Sequence, residues 1–167
     1  TYSGSNFFLK RKYNSFMTQG DKVITISKFI DDHVRHYFPS VKSSLIQIDR
    51  GIDTSYFNLN SIAEKRKENI LSKLKLSENS HVLLLPARIT SWKGHLIAIE
   101  AANLIVQRSP NLNFVILFVG SEDGKISFSK ILKKKIEKFK LENRIIFCGN
   151  LNDMPAVVSR DIAFRLT

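Results

Sequence analysis

From position 79 onward the chain repeats one pattern: a short run that is apolar throughout, then a longer segment with apolar residues at helical spacing. The runs are 82–86, 114–119 and 145–148, and the segments between them are 94–108 and 126–139. A strand with one wet face alternates polar and apolar residues; these do not, so helices must cover both faces of their sheet. Strands and helices joined by so few residues fit right-handed crossovers around a parallel sheet. In the doubly wound order the first such strand is central. The run 82–86 then needs a second neighbour, and the strand beginning in 161–164 supplies it.

Upstream the elements are shorter. Leu9, Tyr13, Phe16 and Met17 recur at helical spacing within 7–18, and Gly20-Asp21 breaks that helix. A β-branched run, 23–26, leads to Ser27, which is placed to cap a helix carrying Phe29, Ile30, Val34 and Tyr37 on one side. Pro39 stops it. Residues 45–48 form a further strand, Arg50-Gly51-Ile52-Asp53 a turn, 58–61 a connector, and 62–76 a Lys- and Glu-rich helix. Asp153-Met154-Pro155 opens a short helix near the end. The expected fold class is α/β, a Rossmann-like parallel sheet flanked by helices.

The 167 residues suffice for one ordinary core, and no apolar stretch is long enough to cross a bilayer. The first methionine is Met17, which is read as the mark of a piece cut from a longer protein. A net charge of +11 favours acidic partners such as nucleotide phosphates or an anionic membrane surface. Cys148 is the single cysteine and lies within an apolar run, so an inert core thiol and a cytoplasmic location are expected. His33 and His36 share a helix but imply no further ligand, so no metal is expected there. Lys125, Lys130, Lys133, Lys134, Lys135, Lys138, Lys140 and Arg144 outnumber the acids around them. They read first as a solvated helix face and second as a contact for anionic lipid. No stacking aromatics interleave with them and no named binding motif appears, which argues against nucleic acid.

Chemistry concentrates after the first regular strand. Arg88 follows the strand end, and Lys93 and Gly94 stand at the mouth of a helix. A guanidinium, an ammonium and a helix N-terminus at one sheet edge suit a phosphorylated ligand, because the cations can neutralise charge on a departing diphosphate. Gly94 either lets the helix approach that ligand or caps the loop. Gly120 and Gly149 end the next two strands at the same edge, where glycine serves turn geometry or leaves room for a base and ribose. His95 reads as a satisfied structural histidine. The segment Gly120-Ser121-Glu122-Asp123-Gly124 is no phosphate loop, since its carboxylates repel phosphate.

Leu84, Pro86, Ala87 and Arg88 followed by Trp92-Lys93-Gly94-His95 resemble the arginine-to-lysine-glycine signature of the group 1 (family 4) retaining glycosyltransferases. Ile24-Thr25-Ile26-Ser27-Lys28-Phe29, Arg50-Gly51-Ile52-Asp53 with Phe57, Phe118-Val119-Gly120 and Ile146-Phe147-Cys148-Gly149 follow the family order as well. The resemblance implies the GT-B fold of two facing Rossmann-like domains. Residues 1–48 would be the end of the N-terminal domain, 49–60 the interdomain crossing, and 61–167 part of the donor-binding domain. It implies a nucleotide-sugar donor, with Arg88 and Lys93 stabilising the leaving diphosphate and Gly94, Gly120 and Gly149 lining the donor site. No cofactor or metal is implied. The implied acceptor is a glycan or a glycolipid such as lipopolysaccharide, reached from the cytoplasm with a peripheral membrane contact. Three departures stand out. Position 87 is Ala where Gly is common, the family's glutamate–seven residues–glutamate motif is absent, and 156–160 is short for the expected helix. The chain alone is therefore expected to be inactive. The alternative is a basic, non-enzymatic module that binds anionic lipid or nucleic acid through the Lys-rich helix.

Overall fold

The computed structural model describes residues 8–39, 41, 44–76, 79–122, 126–159 and 164–165. The chain divides into two compact units, Thr1–Asp53 and Thr54–Thr167.

In the first unit, helix α1 (Phe8–Ser15) runs into a 3-10 turn, followed by strand β1 (Lys22–Thr25), helix α2 (Lys28–Tyr37) and strand β2 (Ser44–Gln47). The strands pair in parallel, Val23 with Leu45 and Ile24 with Ile46. The Ser27 side chain accepts the Ile30 N–H at 3.4 Å and so caps α2 as its spacing predicts. Buried Thr25 donates to Asp31 on α2, and Arg35 one turn later bonds the same carboxylate at 2.6 Å. The Arg35 guanidinium holds the Asp31 carboxyl below its ordinary range.

The second unit carries helix α3 (Glu64–Lys73), strand β3 (His81–Pro86), helix α4 (His95–Arg108), strand β4 (Phe114–Val119), helix α5 (Ile126–Lys138), strand β5 (Ile145–Gly149), helix α6 (Met154–Val157) and strand β6 (Phe164–Arg165). The sheet order is β5-β4-β3-β6, all parallel. Thus β3 is internal, with β6 beside it at Leu83 and Leu84. Residues 161–163 of the expected strand lie outside the described residues.

The unbroken apolar character of β4 now has its reason. Phe114, Ile116 and Phe118 face α4 and α5, where they meet Ile99, Ala102, Leu132 and Ile136. Val115, Leu117 and Val119 face the opposite layer with Ile70, Leu151, Ala156 and Val157. All six β4 residues are buried, so the strand is the centre of a three-layer sandwich. Right-handed crossovers explain the layers: β3 to β4 to β5 steps one way and puts α4 and α5 on one face, while the return to β6 puts α6 on the other.

Side chains of α3 and α6 meet through charge. The Arg66 guanidinium donates to both Asp153 oxygens, at 2.9 and 2.7 Å, and Asp153 also accepts the Ala156 N–H as the cap of α6. The Arg66 bond, more than the cap, holds the Asp153 carboxyl below its ordinary range. A carboxyl depressed by folding stabilises at neutral pH, and that contribution disappears as pH falls through its folded value. Asp153→Asn keeps a cap but loses the ion pair. Its urea midpoint should lie below that of the unsubstituted chain at pH 7, and the two should converge as the solution is taken below pH 4, the ordinary carboxylate range.

Candidate functional site

The candidate site is built on the C-terminal rim of the second sheet. Leaving β3, the chain alternates: Arg88 is exposed, Ile89 and Thr90 are buried, and Ser91, Trp92 and Lys93 are exposed again. Ile89 is only 2% exposed and belongs to the core under α4 and α5, so an apolar anchor pulls the middle of a polar loop inward. The Ile89 N–H donates to the Ser121 carbonyl at 3.0 Å, which ties this loop to the one after β4. The Lys93 N–H closes a turn onto the Thr90 carbonyl at 3.2 Å.

Gly94 then caps α4 in the left-handed conformation, φ 83°, with no side chain satisfying the first N–H groups and no acid in the first turn. The free donors and the positive end of the helix dipole therefore remain open to an anion. Among the described residues, neither the Arg88 guanidinium nor the Lys93 ammonium has a side-chain hydrogen bond or ion pair. Three cations on and around α5 are engaged instead. Lys133 pairs with Glu122 at 3.7 Å and Lys135 pairs with Glu100, while Arg144 donates to the Leu112 carbonyl at 2.7 Å and stacks over Phe114.

Gly120 and Gly149 meet directly: the Gly120 N–H donates to the Gly149 carbonyl at 2.9 Å. Their reasons for being glycine differ. A Cβ at position 120 would lie 2.3 Å from the Ala87 carbonyl oxygen and 2.9 Å from the Arg88 nitrogen, so backbone packing between the β3 and β4 exits excludes any side chain. Gly149, φ 62°, and Gly94 each have open space where a Cβ would be, so turn conformation selects glycine there. Just before Gly149 the β4–β5 register shifts, leaving Cys148 as the extra residue of a bulge. Burial pushes the Cys148 thiol up to about 11, so it stays protonated at neutral pH, in line with an inert role.

His95 departs from expectation. It is fully buried against Phe118, ring centroids 4.9 Å apart and edge to face, but among the described residues neither ring nitrogen has a hydrogen-bond partner. It is not a satisfied structural histidine. Its spacing with Ala98, Ile99 and Ala102 on the buried side of α4 carried the signal for burial. Ile89, a lone apolar residue in a polar loop, carried the signal for the anchor. Among the described residues no cluster of histidine, cysteine or carboxylate side chains could hold a metal. No described helix is long and apolar enough to cross a membrane.

A family model described as "Glycosyl transferases group 1" matches residues 66–167. No curated protein matches the chain. Among solved structures, a glycosyltransferase from Rickettsia africae is 30% identical with a TM-score of 0.74, covering 90% of this chain and 39% of that one. HepE from Anabaena, solved with UDP and glucose, is 22% identical with a TM-score of 0.68, over 89% of this chain and 39% of that one. WaaG, described as a glycosyltransferase involved in lipopolysaccharide biosynthesis, is 16% identical with a TM-score of 0.72, over 90% and 40%. The chain thus spans about two fifths of the length of these relatives. The last two likenesses concern the fold, which is the expected GT-B glycosyltransferase architecture.

The glycine geometry makes a graded prediction. Gly120→Ala should lower the stability of the second unit by about 3 kcal/mol through backbone collision. Gly94→Ala and Gly149→Ala should each cost about 1–2 kcal/mol through backbone conformation alone. Urea titration followed by tryptophan fluorescence ranks the three, and equal losses would contradict the packing role of Gly120.

Proposed function

Since this chain belongs to the group 1 glycosyltransferases, we propose that its second unit is the donor-binding half of an enzyme that transfers a sugar from a nucleotide diphosphate to an acceptor. The observation that carries this is two exposed cations, Arg88 and Lys93, without a side-chain partner among the described residues, on the loop that leads from the end of β3 into the uncapped N-terminus of α4. The rim lies where the strand order reverses between β3 and its two neighbours, which is where doubly wound folds bind nucleotides. As the bond from sugar to diphosphate breaks, negative charge grows on the leaving group. Arg88, Lys93 and the helix dipole would meet that charge and lower the barrier. The exits of β4 and β5, at Gly120 and Gly149, border the space for base and ribose.

We further propose transfer of a hexose with retention, without a metal, to a cell-envelope glycan or glycolipid such as lipopolysaccharide, at the cytoplasmic face of the membrane. The UDP-glucose complex of HepE supports a nucleotide-hexose donor, and the role stated for WaaG supports the acceptor class. Residues 1–48 read as the end of an N-terminal domain, with 49–60 the crossing. The division at Asp53/Thr54 supports this assignment, as does the exposed sheet face bearing Ile24 and Ile46. Without the family's paired-glutamate motif, the isolated chain should bind donor weakly and transfer nothing.

Titration of the isotopically labelled chain with UDP and with uridine, followed by NMR, tests the site. UDP should perturb the amides of 88–97, and uridine should perturb them far less. Lys93→Ala and Arg88→Ala should each weaken UDP binding at least tenfold, since a charge-assisted bond contributes about 1.5–3 kcal/mol. Unchanged affinity in both variants would overturn the assignment.

A further inference from the structure

We infer that His95 is a positioning residue, whose ring N–H ties the first turn of α4 to a backbone carbonyl beside Arg88 when the site closes on a diphosphate. This inference rests on the diphosphate site proposed above and assigns what sets its loop.

Three observations carry it. His95 is 0% exposed, yet among the described residues neither Nδ1 nor Nε2 has a hydrogen-bond partner. Leaving a buried donor or acceptor unmade is costly, so native structures rarely keep one without a reason. The backbone carbonyls that act on the ring are those of Ala87 and Thr90, which bracket Arg88 and Ile89. These carbonyls favour the charged ring, but burial outweighs them and holds His95 below the ordinary imidazole range. A neutral ring retains one N–H to donate.

Both carbonyls already serve the loop. The Ala87 oxygen occupies the space that Gly120 leaves open, and the Thr90 oxygen accepts the Lys93 N–H. Phe118 stands edge-on to the ring, limiting its sideways freedom. A small approach of residues 87–90 toward α4 completes a bond from the ring to one of these oxygens. That approach draws Arg88 toward the helix N-terminus, so gripping a diphosphate and satisfying His95 are the same movement.

The test uses His95→Phe, which keeps an aromatic ring against Phe118 but has no N–H, together with His95→Asn and His95→Gln, which restore an amide N–H. In His95→Phe with UDP present, amide exchange at Ile89 and Lys93 should quicken by about fivefold to tenfold relative to the unsubstituted chain with UDP, while Leu117 stays unchanged. UDP affinity should fall by a similar factor with uridine binding unaltered, and one amide variant should recover both. Unchanged exchange and affinity in His95→Phe would overturn the proposal and leave His95 as filling. If the phenylalanine variant fails to fold, the unsubstituted chain decides. A scalar coupling from the ring N–H to the Ala87 or Thr90 carbonyl carbon, present with UDP, supports the proposal, and its absence overturns it. A loop response to His95→Phe in a chain that ignores UDP would sink the diphosphate reading while the tie from ring to loop stands.

Discussion

The Ala87 carbonyl oxygen lies where a side chain at position 120 would begin, and the whole rim depends on that approach. Because Gly120 has no Cβ, the exits of β3 and β4 can run side by side. The Ile89 N–H then reaches Ser121 on one side, and the Gly120 N–H reaches Gly149 on the other. Three strand exits are thus stitched by main chain, with the buried Ile89 side chain anchoring the loop between them. Arg88 and Lys93 can then stand in solvent with no internal partner among the described residues.

Charge is distributed along the same lines. The chain carries a large positive excess, but its cations are not equivalent. On and around α5, Lys133, Lys135 and Arg144 are taken up by Glu122, Glu100 and backbone carbonyls. Those contacts make part of the basic helix a structural surface and weaken the case for a lipid- or nucleic-acid-binding module. At the rim Lys93 directly precedes an uncapped helix end with no acid in its first turn, and Arg88 lies on the same loop. Electrostatic attraction for an anion therefore concentrates where the backbone also offers donors.

The two units solve burial differently. In the second, both sheet faces are covered, and β4 is buried along its full length. In the first, a two-stranded parallel pair packs α2 on one side and leaves Ile24 60% and Ile46 37% exposed on the other. So small a pair gains little stability by itself, and it leaves an apolar face wet.

Much of this was legible in the residues. Apolar runs without alternation dictated a doubly covered parallel sheet, because an unbroken apolar strand has no other stable place. Ser27 and Asp153 announced their caps, and the Arg88–Lys93-Gly94 order marked the rim, since strand end, loop and helix start follow directly from local pattern. Other features could be decided only by the assembled fold. Nothing local distinguishes Gly120, excluded from any side chain by a carbonyl 33 residues earlier in the chain (Ala87), from Gly94, which only turns. Nor could pattern tell that His95, correctly spaced for burial, would enter the core with both nitrogens unbonded, or that Arg66 would find Asp153. Local sequence sets periodicity and conformation, whereas close approach and hydrogen-bond partnership depend on atoms that meet only when distant segments pack.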